Sequence, residues 1–165
     1  MLVNNIIALI LAGGVLIDLA WASLHDLKTR TIPKTSVAVI YGLVSVYLLI
    51  TGSDLTVASL CFMFTFVTFL CLWAISKGNF GIGDVLILSA LGWMVADLAL
   101  LKAFLLTLGV LTIPYGLFCY WYYRNEAKLH NKWVGGPYLY PYMPIVFFTT
   151  MVYLLIPSIL LKLFS

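Results

Sequence analysis

The chain is a succession of apolar runs, each close to the length that crosses a lipid bilayer, and this constrains the fold more than any other feature. A transmembrane helix takes about 20 mostly apolar residues. Residues 5–24, 36–52 and 55–76 form three such runs, separated by the turn signals "TIPK" and "TGSD". A fourth run opens near Gly83-Asp84 and ends near Asp97, a fifth covers about 103–123, and a sixth covers about 138–161 after the polar stretch "RNEAKLHNKWVGGP". The region holding the fourth and fifth is too long for one crossing at 1.5 Å per residue. Composition agrees: 64% of the 165 residues are hydrophobic and 9% are charged, against about 45–50% and about 25% in a soluble domain. The expected fold is all-α, a polytopic membrane protein forming a bundle of six transmembrane helices, with residues 1–165 as a single domain. The N-terminal run has no basic segment ahead of it and no evident cleavage site, so it reads as a retained helix and not as a signal peptide.

Six crossings put the first, third and fifth loops on one side. Lys28, Arg30, Lys34, Lys77, Arg124, Lys128 and Lys132 fall there, whereas Lys102 and Lys162 fall on the other. The excess of basic residues in short loops marks the cytoplasmic side, which places both termini outside. The net charge of +3 is too small to form a nucleic-acid surface, and the lipid bilayer is the expected surrounding partner.

Cys61, Cys71 and Cys119 all lie within apolar runs and form no CxxC pair, so neither a zinc ribbon nor a disulfide framework is indicated. His25 and His130 form no HExxH or triad-like pattern, and no metal or cofactor is expected. The aromatic clusters "YWYY" at 120–123 and "YLYPY" at 138–142 bracket one interface, as an aromatic belt does.

Of the acidic residues, Glu126, Asp54 and Asp97 fall in loops or at helix ends. Asp18, Asp26 and Asp84 remain. Asp26 follows the first run in "SLHDLKTRTIPK", and Asp84 opens the fourth in "GNFGIGDVLI". The first run descends to the cytoplasmic side and the fourth starts there, so the two acids lie at similar depth. Two adjacent carboxylates do not both ionise easily; one keeps its proton, the other stays a base, and water between them becomes a nucleophile. Gly81 and Gly83 permit close approach at this helix mouth. Asp84 is expected both to cap its helix and to act chemically. Asp18 lies about 12 Å further up the first helix and reads as structural, hydrogen-bonded within the bundle.

These residues resemble the type IV prepilin peptidases, membrane aspartic proteases of the GxGD type that include the archaeal preflagellin peptidases. In that family one aspartate follows a helix in a pattern close to D-x-[KR]-x-R-x-I-P-N, and the other ends GxGD. Asp26, Lys28, Arg30, Ile32 and Pro33 match the first pattern, with Lys34 where Asn is usual. Gly81, Gly83 and Asp84 match the second, with Leu86 where bacterial members often have Lys. The late "YPYMPIVFF" resembles the proline-containing start of the family's last helix. The resemblance spans most of the chain. It implies catalytic roles for Asp26 and Asp84, supporting roles for Gly81, Gly83, Lys28 and Arg30, and cleavage of membrane-anchored pilin-like or archaellin precursors at the cytoplasmic membrane face. The cysteine tetrad and cytoplasmic insert of the larger, methylating members are absent from the sequence, so cleavage without N-methylation is expected. The short form is similar to archaeal or minimal bacterial members.

Two other classes fit the composition. A small transporter or proton channel would use Asp18, Asp26 and Asp84 as an ion path. A pilus-assembly membrane subunit would carry no chemistry.

Overall fold

The computed structural model describes residues 2–29, 31–75, 81–129 and 141–163. They form six helices: α1 (Leu2–Thr29), α2 (Lys34–Thr51), α3 (Leu55–Ile75), α4 (Ile82–Val95), α5 (Leu98–Leu129) and α6 (Met143–Leu163). No strand occurs among the described residues. The fold class is the expected one, and α1, α2, α3 and the first part of α5, Leu98–Cys119, are each long and apolar enough to cross a membrane.

Several boundaries differ from expectation, each for a local reason. The break between the fourth and fifth helices falls at Ala96-Asp97, where Ala96 takes a left-handed conformation (φ 46°) that stops the helix. The Asp97 carboxylate then accepts from Leu100 N–H at 2.9 Å, so α5 starts at Leu98 and not near 103. Asp54 opens α3 in the same way, accepting from Thr56 N–H at 2.8 Å. At its other end α5 continues through Leu129: Arg124, Glu126 and Lys128, read from sequence as loop residues, are helical, since nothing in "RNEAKL" breaks a helix. The sixth helix begins at Met143 and not near Tyr138; Pro141 precedes it, and Pro144 occupies its first turn, where the lost N–H costs no internal bond. Lys77, Lys132, Gly135 and Gly136 lie outside the described residues.

The outside of the bundle is apolar. Ile10, Ile17 and Trp21 of α1, Phe64 and Val67 of α3, and Val110, Ile113 and Leu117 of α5 are all exposed. In a helical bundle whose backbone hydrogen bonds are satisfied internally, such a surface belongs against lipid. The protein is membrane-embedded. Five interior hydroxyls are satisfied within their own helices: Ser23, Thr65, Ser89, Thr149 and Thr150 each donate to the carbonyl four residues earlier.

The short helix α4 is the axis of the structure. At 14 residues it is about 21 Å long, well under the roughly 30 Å of a bilayer core. It packs against α2, α3 and, sparingly, α5, and it buries residues on all sides, from Asp84 and Val85 through Leu88, Leu91 and Met94. Its contact with α3 is close because Gly92 has no β-carbon: one placed there would overlap the Thr65 hydroxyl and stand 3.2 Å from the Cys61 carbonyl. Helix α1 packs between α2 and α6. Gly14 pairs with Leu43 and Asp18 with Ser36, so α1 runs past the start of α2 by roughly two turns. The chain then folds back through Ile32 to enter α2.

Candidate active site

The overhanging end of α1, the start of α4 and the start of α6 converge at one end of the bundle. Each contributes a polar group there. Asp26 lies on the overhang and is 6% exposed; Asp84 lies in the first turn of α4 and is 7% exposed. Asp84 lies within the field of Asp26, and both acids singled out from the sequence are buried at this end of the bundle.

Each carboxylate is held by a helix N-terminus. Oδ2 of Asp84 accepts from Gly81 N–H at 3.0 Å. The capping arrangement differs from expectation: Gly81 is the N-cap, and Asp84 sits three residues on, its carboxylate reaching back as in one half of a capping box. That bond explains Gly81, since a β-carbon there would stand 2.8 Å from Oδ2 of Asp84. Oδ1 of Asp84 is buried and has no hydrogen-bond partner. Asp26 caps a helix other than its own. Its Oδ2 accepts from Met143 N–H, the first of α6, at 3.1 Å.

Gly83 has a different reason. A β-carbon at that position would meet Ile32 Cβ at 3.0 Å and Cδ1 at 3.1 Å. Ile32 belongs to the "TIP" segment following Asp26, so the two sequence motifs pack directly on each other. Pro33 is the extended N-cap of α2 and turns the chain inward just after that contact.

The other candidates divide. Lys28 is exposed and in the last turn of α1, and Arg30 lies outside the described residues. His25 is turned away from the acids: Nδ1 lies 2.8 Å from the Thr31 carbonyl and 2.9 Å from the Thr29 hydroxyl, which ties off the end of α1. Asp18 faces Ser36, yet its Oδ2 and the Ser36 hydroxyl are both buried without a hydrogen-bond partner.

Three residues near the acids were not recognisable from sequence. Tyr142, directly ahead of α6, sits within the field of Asp84; burial pushes its phenol up, the Thr112 hydroxyl opposes this, and the Asp84 charge adds to it, so it stays protonated. Its hydroxyl is 3.4 Å from that of Thr112. Tyr115 of α5 donates to the Pro141 carbonyl at 2.8 Å. Met143 contributes only a backbone N–H to Asp26. Backbone donors and single tertiary contacts leave no sequence pattern; the proline pair around Met143 was the one available signal.

A cavity of about 130 Å³ lined by Tyr47, Leu91, Met94, Phe104, Thr150 and Tyr153 lies toward the other end of α4 and is largely apolar. Among the described residues, no three His, Cys, Asp or Glu side chains gather as a metal site. No protein-family model, curated protein or solved structure matches the chain.

Proposed function

We propose that this protein is a membrane aspartic endopeptidase that removes the leader of type IV pilin-like or archaellin precursors at the cytoplasmic face of the cell membrane, without methylating the new terminus. The observation that carries the reading is that Asp26 and Asp84 are both buried at one end of the bundle, with Asp84 in the field of Asp26, each with one oxygen on a helix N-terminal N–H and with Oδ1 of Asp84 unpartnered. Carboxylates in an apolar bundle are costly and mark functional sites, and Asp84 lies within the field of a second one, Asp26.

In this mechanism the pair holds one proton. The ionised member removes a proton from water, the water oxygen bonds to the scissile carbonyl carbon, and the protonated member holds the developing oxyanion by a hydrogen bond, keeping its proton. Collapse breaks the C–N bond, and the leaving nitrogen takes a proton from the pair. The products are a carboxylic acid and an amine, and one proton remains on the dyad. The titration belongs to both acids together. The basic residues on the cytoplasmic side support the orientation, and the apolar exterior fits a precursor whose hydrophobic segment stays in the bilayer.

The test is cleavage of purified type IV pilin-like precursors by the detergent-solubilised protein, beside Asp26→Asn and Asp84→Asn variants checked for folding. Cleavage lost in both variants supports the reading; cleavage surviving either one removes the dyad.

A further inference from the structure

The acids account for the chemistry proposed above, but not for what holds Asp26 in place. Asp26 is on α1, and its bond is to α6. At the start of α6, Ile145 and Val146 both donate to the Tyr142 carbonyl at 3.2 and 3.4 Å, and Pro144 has no N–H. Met143 is the first-turn donor that points outward, and Asp26 receives it. The position of that N–H depends on where the helix begins.

The beginning of α6 is fastened from α5. Tyr115 donates to the Pro141 carbonyl at 2.8 Å, two residues ahead of Met143. Thr112, one turn earlier on the same face of α5, reaches the Tyr142 hydroxyl at 3.4 Å, a longer and weaker contact. Pro141 is buried and its φ is fixed by its ring, so a tie at its carbonyl is transmitted stiffly along the chain. Tyr115 directly follows Pro114, which interrupts the hydrogen bonding of α5.

We propose that Tyr115 is a positioning residue of this site: its hydroxyl fixes the start of α6, and the Met143 N–H so placed holds Asp26 facing Asp84. This rests on the peptidase reading above. Tyr115 acts on the site through the Pro141 carbonyl. The conservative change is to Phe, which keeps the ring and removes the hydroxyl, and with it both the bond to Pro141 and the contact with the Cys119 thiol one turn on.

The experiment is steady-state cleavage of a purified pilin-like precursor by wild type, Tyr115→Phe and Met143→Pro, with Asp26→Asn in the same series. Proline is well accepted at the first position of a helix, so Met143→Pro deletes the N–H while keeping the helix start, and Met143→Ala, which keeps the N–H, controls for loss of the buried side chain. For Tyr115→Phe the expected result is a kcat reduced about tenfold, since small misplacements of a reacting group are costly, with KM within about twofold of wild type. Met143→Pro should match or exceed that loss of kcat. A Tyr115→Phe enzyme with wild-type kcat, or with raised KM alone, overturns the proposal. If Asp26→Asn still cleaves, the peptidase reading itself falls; if Asp26→Asn is inert while Tyr115→Phe is unimpaired, only the positioning role falls. A readout without turnover is the apparent unfolding temperature of Tyr115→Phe, Asp26→Asn and the double variant. Losses smaller together than the two singles added indicate one linked structure; strict additivity counts against it.

Discussion

Ile32 packs so closely on Gly83 that a β-carbon on the glycine would lie 3.0 Å from that of Ile32. This contact joins the segment after Asp26 to the turn that carries Asp84. It ties the two acid-bearing segments to each other. Gly83→Ala should improve local helix propensity by up to about 1 kcal/mol, yet crowd a β-branched neighbour whose own β-carbon cannot rotate away. Overpacking costs about 1–3 kcal/mol. The expected outcome is a modestly less stable protein whose kcat falls about tenfold or more, because the strain is taken up between the acids. Ile32→Ala in the same chain removes the Cδ1 and Cγ1 contacts and should restore part of kcat. Precursor cleavage by the single and double variants checks this; no rescue would mean the contact does not set the dyad.

Gly92 provides the contrast. A β-carbon there overlaps the Thr65 hydroxyl and stands 2.9 Å from Thr65 Cβ, across the close contact of α3 and α4. Gly92→Ala should therefore destabilise the protein by about 1–3 kcal/mol. Gly92 is eight residues from Asp84, about 12 Å along α4, so kcat per folded molecule should stay within about twofold of wild type. Thermal unfolding in detergent and active-site-normalised cleavage separate the two effects. A large kcat loss at Gly92 matching that at Gly83 would show that α4 responds as one rigid rod, and that the Ile32 contact has no special part.

The expected pH dependence follows from the shared proton. With both acids protonated no base is available, and with both ionised no donor is available, so kcat/KM should rise and then fall as pH increases. Asp84→Asn keeps an oxygen for Gly81 N–H, so α4 stays capped, while the proton-bearing group is lost. Cleavage should vanish with little loss of fold. Wild type should lose stability as pH rises through ionisation of the second acid, because the folded state then holds two buried charges together that the unfolded chain separates. Asp84→Asn should lack that loss. Unfolding temperatures of the two proteins across pH measure it, and parallel curves would show that the acids are not coupled.

Much of this arrangement was legible in the sequence because a serpentine membrane chain obeys parity. Once the apolar runs are counted, the end of α1 and the start of α4 must share a side, and Asp26 and Asp84 follow. Helix limits were less legible. Ala96 ends α4 in a left-handed conformation normally left to glycine or asparagine, so no residue type marks the break. Arg124 to Leu129 look like a loop by polarity but continue α5, because polarity reports leaving the membrane and not leaving the helix. The hold on Asp26 was invisible for a third reason. It comes from Met143 N–H, a group every residue but proline has, and from Tyr115, whose side chain in sequence is one tyrosine among ten.

Asp18 distinguishes the peptidase from an ion path. It faces the Ser36 hydroxyl, and its Oδ2 is buried without a partner, which costs about 1–3 kcal/mol. A proton channel would need Asp18 as a titrating step between the membrane interior and Asp26. A peptidase acting at the mouth of the bundle has no use for it. Asp18→Asn adds a donor where the Ser36 hydroxyl can accept, so the variant should unfold at the same or a higher temperature. Its precursor cleavage should stay within about twofold of wild type. Abolished cleavage would place Asp18 in the reaction, and loss of a measurable proton flux in liposomes on the same substitution would favour transport over hydrolysis.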